Sequence, residues 1–283
     1  MLHLDVDGLR NTQVGKLLMQ RLTTGDDNHK MNALAAWLGC DPRKDLAGVT
    51  LYGPPGVSDD GVVILGGKFN QQQMETYVKA DAAYQGEAYK GTTIHSWIDK
   101  KKNKRMWGAF MNGGSQIVIS GVDSALKTAL DTISGQAGSS LATQNSCNLA
   151  LGTANGAVLV AAADMSKIKG TKPNAQTLKQ AKAASASIGE QGNDMVATIS
   201  IEADSAVSAQ QMTDMARGIL AMIQLDDKTD AKTKEALRAT TIDAQGTSLK
   251  VAIHMPAQTL ADAMQKKWQE EDQKKAADTT QSK

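Results

Sequence analysis

The sequence predicts an α+β protein made of two related halves, each a mainly antiparallel sheet with helices packed on one face. The first observation is a repeated order of a strand, a polar cap and a helix, found in Gly67–Val78 and again in Ile201–Met215. The second is that strands follow one another in series with short polar turns between them, which favours antiparallel pairing. A fixed order of units that recurs within one chain indicates internal duplication.

The first half is assigned to residues 1–134. Leu2, Leu4 and Val6 alternate with polar residues, which is the period-two pattern of a half-buried strand. Asn70 precedes a segment with helical apolar spacing and therefore predicts a helix start. The full prediction is a strand at 2–6, helices at 12–22 and 31–38, strands at 49–52 and 62–69, a helix from 70, strands at 92–98, 106–110 and 116–120, and a helix at 122–133.

Residues 135–156 are rich in Gly, Ser, Thr, Asn and Ala, and this shift in composition predicts a linker. The second half, residues 157–269, then repeats the order of the first. It is expected to contain a strand at 157–163, a helix at 172–183, a hairpin of 184–189 with 195–203, a helix from Ser205, a strand pair at 240–244 and 249–255, and a helix from Pro256. Residues 270–283 are polar, and we expect them to form a disordered tail.

Composition excludes some classes of function. The 283 residues carry 31 Lys and Arg against 30 Asp and Glu, so no overall field would attract nucleic acid or an anionic membrane. Aromatic residues make up only 4% of the chain, which disfavours a carbohydrate groove or a base-stacking platform. Any such binding would therefore depend on a local cluster of residues.

The two cysteines, Cys40 and Cys147, occur in no metal-binding or redox spacing. A disulfide between them and two separate buried thiols are both open. No run of apolar residues approaches the eighteen or so of a membrane span, so we expect no transmembrane segment. The four histidines are isolated from one another and from the cysteines, and we expect neither a metal site nor a cofactor.

The candidate for catalysis is the segment Asp5-Val6-Asp7-Gly8, which follows a short apolar strand. It resembles the DxDG loop of haloacid-dehalogenase-type phosphotransferases, in which the first carboxylate attacks phosphorus and Mg²⁺ offsets the charge. Leu9 stands where that family usually has Thr. The alternative is that both aspartates belong to the solvated side of a strand and that Asp7 ends it. We expect this second, non-catalytic role.

The candidate for binding is a basic hairpin at residues 97–107. Antiparallel pairing centred on Lys102 would place Trp97 and Trp107 opposite each other, below a tip of five basic residues. Such a site could bind a polyanion by combining cations with aromatic rings. The alternative is a solvated turn above a hydrophobic pair. The candidate residues are Trp97, Lys100, Lys101, Lys102, Lys104, Arg105 and Trp107.

A methionine-rich stripe is the second candidate surface. Met212, Met215 and Met222 recur at helical spacing and could form an adaptable groove for a partner. Residues with this spacing belong to a hydrophobic core far more often. We therefore expect the stripe to be buried.

Several turns and caps together resemble those of an uncharacterised family of bacterial exported proteins. The residues that carry the resemblance are Asp7–Arg10, Gly15–Leu18, Leu38–Leu46 and Ala162–Ser166, and the similarity extends over most of the chain up to the polar tail. The family has no established activity, cofactor or catalytic residue. The resemblance implies export, and hence a periplasmic or extracellular location if an upstream signal peptide is missing from this chain, and a cytoplasmic one otherwise.

The sequence as a whole favours a non-enzymatic binding or structural protein of the bacterial cell envelope, with a protein or a polyanion as the partner. A Mg²⁺-dependent phosphohydrolase that uses Asp5 and Asp7 is the alternative. Binding of a polyanion by the hairpin from Lys100 to Arg105 is the weaker alternative.

Overall fold

The computed structural model describes residues 1–54, 60–136, 156–167, 180–227, 229 and 231–281. The strands are β1 (Leu2–Asp5), β2 (Leu46–Tyr52), β3 (Val62–Gly67), β4 (Gln85–Tyr89), β5 (Thr92–Asp99), β6 (Lys104–Met111), β7 (Gln116–Ser120), β8 (Ala157–Asp164), β9 (Ala181–Gln191), β10 (Asp194–Ala203), β11 (Thr241–Gln245) and β12 (Ser248–Pro256). The helices are α1 (Val6–Asn11), α2 (Gln13–Arg21), α3 (Gly25–Leu38), α4 (Pro42–Asp45), α5 (Gln71–Lys79), α6 (Asp123–Ile133), α7 (Ala206–Leu225), α8 (Ala231–Arg238) and α9 (Ala257–Gln281).

These strands form one continuous antiparallel sheet, so the predicted α+β class and the antiparallel pairing are confirmed. The order across the sheet is β11-β12-β10-β9-β8-β1-β2-β3-β7-β6-β5-β4. The two halves therefore share a single sheet, which is joined where β1 pairs with β8. In both halves the last strand returns to pair with the third, as β7 does with β3 and β12 with β10. A common origin of the two halves stays a prediction.

Side-chain caps begin several helices at the positions that the sequence indicates. The Asn70 side chain accepts a hydrogen bond from the Gln73 amide (3.0 Å), and the Ser205 hydroxyl accepts one from the Ser208 amide (3.1 Å). Thr12 does the same for α2 by accepting from the Gly15 amide (2.8 Å). Each cap satisfies a backbone donor that the first helical turn leaves without a partner.

The sheet has two faces, which we name by the residues of β1. The front face carries Leu2 and its partner Leu51, and the back face carries His3 and its partner Thr50. Residues that pair directly across antiparallel strands share a face, so the strand register assigns every other strand residue to one face.

In the first half, helices lie on both faces of the sheet. Leu126 of α6 packs on the back face against Val118 and Ile94, whereas Met74 of α5 packs on the front face against Ile117. The expectation of helices on one face only is therefore wrong for this half. An apolar helical stripe indicates that a helix is buried but does not indicate which side of a sheet it covers.

In the second half, α7 covers the front face of the strands at that edge. Met212 of α7 is buried against Leu249 of β12, together with Ile201 of β10. At the ends of the chain, α2 and α9 pack against each other, and Val14 and Ala257 enclose Met195.

Three expectations concern segments near gaps or termini. The predicted linker, 135–156, lies almost wholly outside the described residues. Most of the predicted helix at 172–183 also lies outside them, and its last residues, Ala181–Ala183, belong to β9. The predicted disordered tail differs from the structure, because α9 continues through Gln281. No helix within the described ranges combines the length and the apolarity that crossing a bilayer requires.

Candidate functional site

The middle of the front face carries a row of apolar residues that crosses seven strands. Each member pairs directly with the next, from β10 through β9, β8, β1, β2 and β3 to β7. Neighbouring strands lie about 4.8 Å apart, so the row extends over about 30 Å. In spatial order its members are Ile199, Ala186, Ala161, Leu2, Leu51, Val63 and Ile119.

This row is the floor of an open cavity of about 830 Å³, which we call the central trough. Leu51 and Ile199 are 41% and 40% exposed, although large apolar side chains on a sheet face are usually covered. Ala161 and Ala186 lie between them, and their short side chains leave space above β8 and β9. The trough is therefore an exposed apolar surface with a concave centre.

Charged residues of opposite sign lie on different sides of the central trough. Lys102 and Lys104 line it next to Met106, where the β5–β6 hairpin meets the sheet. An adjoining cavity of about 500 Å³ shares Tyr52 with the trough and contains Asp60 and Asp164. Among the residues that the structure describes, the charged side chains of the trough are therefore basic and those of the adjoining cavity are acidic.

Helix α7 carries a second exposed apolar surface, which is not part of the trough lining. The Arg217 side chain donates a hydrogen bond to the Ile242 carbonyl of β11 (3.3 Å). Met215 and Met222 lie about 140–160° around the helix from Arg217, and therefore on a different side of α7. The predicted burial is correct for Met212 and wrong for these two methionines, which are exposed.

A different groove lies between α5 and the β5–β6 hairpin, and we call it the aromatic groove. It has a volume of about 770 Å³. Three rings from separate elements line it: Trp37 at the end of α3, Tyr77 in α5 and Trp97 in β5. The lining also contains the charged residues Asp81, Asp99, Lys100 and Lys101, and Met106 separates the groove from the central trough.

The hairpin register differs from the register that the sequence suggested. Trp97 pairs with Met106, and Trp107 pairs with Ser96, so the two tryptophans lie on opposite faces of the sheet. Asn103 adopts a left-handed conformation (φ 50°), which closes a loop of four residues instead of five. A shift of one residue in register moves a side chain to the other face. The expectation of a facing tryptophan pair is therefore wrong.

The seven predicted binding residues are consequently divided among three places. Trp97, Lys100 and Lys101 line the aromatic groove, and Lys102 and Lys104 line the central trough. Trp107 packs against the back-face core. Arg105 lies on the back face, where its Nη1 donates hydrogen bonds to the Ala83 carbonyl (3.0 Å) and the Ser96 hydroxyl (2.9 Å).

A buried histidine lies beneath the aromatic groove. His95 lies on β5 and lines a small cavity together with Met74 of α5 and Trp97. Its Nδ1 forms a hydrogen bond with the Tyr84 hydroxyl (3.1 Å). Burial lowers the pKa of His95 below its ordinary value; nearby Glu75 opposes this change, and nearby Lys79 adds to it. The ring is therefore held in its neutral form.

Asp5 and Asp7 make local contacts around α1. The Asp5 side chain caps the helix by accepting a hydrogen bond from the Gly8 amide (2.8 Å), and Asp7 pairs with Arg10. Arg10 in turn donates to the Arg43 carbonyl (2.8 Å), which ties α1 to α4. Within the ranges that the structure describes, no three His, Cys, Asp or Glu side chains are grouped closely enough to hold a metal ion.

Cys40 lies at the end of α3 and is half-buried. Burial raises the pKa of its thiol, and the nearby Asp45 and Asp41 carboxylates raise it further. The thiol is therefore a weak nucleophile at neutral pH. Cys147 lies outside the described residues, so the disulfide remains one of two open alternatives.

Sequence reasoning did not identify the residues that define the two surfaces. The alternation in β1 indicated a half-buried strand, but it could not show that no described helix covers the middle of the front face, where Leu51 is exposed. Tyr77 was predicted only as part of the helix after Asn70, and the pattern gave no sign that its ring would be exposed. Trp37 lies in the last turn of α3, and no pattern in the sequence marked it as a surface residue.

No model of a known protein family matches the chain. A search of curated proteins likewise found no match. Among solved structures, the chain is similar to crystal form IV of TP0453 with a TM-score of 0.46 and 9% identity, over 93% of this chain and 91% of that chain. Crystal form III gives a TM-score of 0.43 and 11% identity over 93% and 92%, and form I gives 0.42 and 10% over 93% and 91%. What the two surfaces bind therefore has to be inferred from their own chemistry.

Proposed function

We propose that this chain is a non-enzymatic binding protein and that its central trough holds an elongated apolar ligand with a carboxylate at one end. The observation that carries the proposal is the row of apolar residues from Ile199 to Ile119, whose middle no described helix covers and which is bordered by Lys102 and Lys104. The volume of the trough, about 830 Å³, falls within the range of sites for small molecules, which is roughly 300–1,000 Å³.

The apolar floor supports binding through the hydrophobic effect. Covering exposed apolar surface releases about 25 cal/mol for each Å² removed from water. Leu51 and Ile199 are the large floor residues with the most surface to cover. Met215 and Met222 of α7 are also exposed, and a long ligand could use them because methionine adapts its shape to varied ligands.

Charge supports a carboxylate as the polar end of the ligand. Lys102 and Lys104 would attract an anion at the side of the trough near the hairpin. Asp60 and Asp164 in the adjoining cavity would repel it there. A long-chain carboxylate matches this arrangement, because its tail covers the floor while its head group stays near the lysines and water.

A non-enzymatic role is consistent with the contacts of the catalytic candidates. Asp5 caps α1 and Asp7 pairs with Arg10, so the local fold already accounts for both carboxylates. The central trough contains no Asp, Glu or His among its lining residues in the described ranges.

The test is titration with a fluorescent long-chain carboxylate, cis-parinaric acid, and with its matching alcohol. The Ile199→Glu variant places a charge in the floor and should weaken carboxylate binding by about tenfold or more, which is at least about 1.4 kcal/mol. Val207→Glu is the matched control, because Val207 is an exposed apolar residue of α7 outside the trough. Melting temperatures of all variants would establish that they are folded.

Lysine variants test the orientation of the ligand. The double change Lys102→Glu and Lys104→Glu should weaken the carboxylate more than the alcohol. The proposal would be rejected if the parent protein binds neither probe, or if Ile199→Glu and Val207→Glu bind equally well.

A polyanion at the hairpin tip is the second candidate function. The observation that favours it is the exposure of Lys100, Lys101, Lys102 and Lys104 at one tip. Changing Lys100, Lys101 and Lys104 to Glu should abolish salt-sensitive retention on heparin. Unchanged retention would contradict this candidate without affecting the proposed role of the apolar floor.

A further inference from the structure

We infer that the aromatic groove is a second binding site and that it takes a neutral oligosaccharide. This site is separate from the central trough, since Met106 stands between the two and the three rings of the groove do not line the trough. The inference does not depend on what the trough binds.

Aromatic residues are concentrated in this groove. The chain has four Trp, four Tyr and two Phe, and three of these ten rings line one space although they come from α3, α5 and β5. Tyr77 is 52% exposed, an unusual state for a large ring in a protein with so few. The low overall aromatic content therefore does not exclude stacking at this position.

The rings are held in place from below. A Cβ atom added at Gly108 would lie 3.1 Å from both Cη2 and Cζ3 of Trp97, which shows that the indole lies directly against the backbone of β6. Trp37 and Trp97 also enclose a cavity of only about 20 Å³ together with Met74 and His95. A platform that is already ordered loses little entropy when a ligand binds.

The polar groups at the groove suit hydroxyl groups. Oδ1 of Asp81 accepts a hydrogen bond from the Ala83 amide (2.8 Å), and Oδ1 of Asp99 accepts one from the Lys101 amide (2.9 Å). These bonds orient both carboxylates, and Lys100 and Lys101, which carry ammonium donors, line the same groove. A hydroxyl group both donates and accepts hydrogen bonds, so a sugar can use the two kinds of group together.

The balance of charge argues against a nucleic-acid strand. Two aspartates and two lysines line the groove, so its formal charge is zero. Single-stranded nucleic acid combines aromatic stacking with a positively charged groove that follows the phosphates. The carboxylates would repel those phosphates, whereas a neutral sugar ring meets no repulsion.

The carboxylates also argue against a proline-rich peptide. Such peptides dock in aromatic-lined grooves, but proline has no backbone N–H and offers chiefly carbonyl acceptors. Asp81 and Asp99 would then lose water without gaining a donor, which is unfavourable. A sugar supplies the donors that these side chains need.

The experiment is a titration of the full chain with cellohexaose, maltohexaose and N-acetylated chitohexaose, monitored by tryptophan fluorescence and by amide NMR shifts. At least one oligosaccharide should bind saturably at up to millimolar concentration and should shift the amides of residues 77 and 97–101. Tyr77→Ala should weaken binding by about tenfold, which corresponds to about 1.4 kcal/mol.

Two control variants separate stacking from folding. Tyr77→Phe keeps the ring and should retain binding, and Trp268→Ala removes a ring from α9, outside the groove, and should also retain it. The inference is overturned if none of the three oligosaccharides binds. It is also overturned if decaproline or oligothymidylate binds instead and Tyr77→Ala abolishes that binding.

Discussion

Arg21 of α2 holds Asp272 of α9 through a bidentate ion pair. Its Nη1 and Nη2 atoms donate to Oδ2 and Oδ1 of the carboxylate at 2.6 and 2.7 Å. The same guanidinium lies 5.6 Å from the centroid of the Trp268 ring. Two parallel hydrogen bonds fix both the distance and the orientation of the partners. The pair therefore anchors α9 beyond its apolar first turns, which pack in the core through Ala257, Leu260 and Met264.

Replacing Asp272 with Asn should loosen the end of α9 without unfolding the protein. The change removes the charge and one acceptor from the bidentate pair. Amide hydrogen exchange of residues 268–281 should become several-fold faster, while the melting temperature should stay nearly unchanged because an ion pair with a half-exposed carboxylate contributes little to global stability. Glu271→Gln is the control, and equal exchange in both variants would contradict the anchoring role.

Asp5 should act as a helix cap and not as a nucleophile. Asp5→Ala should lower the free energy of unfolding by about 0.5–2 kcal/mol, while Asp5→Asn should cost much less because Asn caps equally well. Denaturant unfolding of both variants checks this. Turnover of a phosphate ester with Mg²⁺ by the parent, lost in Asp5→Asn, would instead support the phosphohydrolase alternative.

Gly108 should tolerate no side chain beneath Trp97. The added methyl of Gly108→Ala would press on the indole and lie 3.4 Å from the Val118 carbonyl oxygen. Overpacking of this kind costs about 1–3 kcal/mol. Unfolding of Gly108→Ala by urea should show this loss, and pairing the change with Trp97→Leu should recover part of it. No recovery in the double variant would mean that the strain lies in the backbone.

His95 should make the stability of the protein depend on acidity. Its lowered pKa means that, below about pH 6.5, the unfolded chain binds a proton that the folded chain does not. The free energy of unfolding should therefore fall as pH decreases through this value and should not change through His95 above it. Urea unfolding at several pH values should show that the free energy of unfolding depends less steeply on pH in His95→Gln than in the parent. The same dependence on pH in both proteins would contradict the lowered pKa of His95.

Leu126 should be the side chain on which the back-face core depends most. It is completely buried between α6 and the sheet. Leu126→Ala should lower the free energy of unfolding by about 2–5 kcal/mol. Leu225→Ala, at an exposed end of α7, should change it by less than about 0.5 kcal/mol. Similar losses in the two variants would show that α6 is not packed as described.

Local signals in the sequence predicted much of the fold. The caps at Asn70 and Ser205 could be predicted because the acceptor and donor lie three residues apart in the chain. Most strands were also predicted, since alternation needs only neighbouring residues. The hairpin register was missed because it depends on the conformation of one residue, Asn103, and a one-residue error moves Trp107 to the other face.

Features that depend on distant segments could not be predicted. The helical end of α9 is held by Arg21, which is 251 positions away in the chain. The alternation in β1 predicted a half-buried strand, but the exposure of Leu51 on the neighbouring strand depends on where α5 and α7 pack. Composition averages over the whole chain, so it gave no sign that Trp37, Tyr77 and Trp97 come together in one groove.

The pairing of β1 with β8 means that each half of the chain completes the sheet of the other half. Leu2, His3 and Leu4 pair with residues 159–161 of the second half, and this contact lies in the interior of the sheet. A chain cut between residues 136 and 156 would therefore yield fragments with complementary open edges. When mixed, the two fragments should associate into one non-covalent complex. The protein could then serve as a split reporter whose signal depends on the β1–β8 contact.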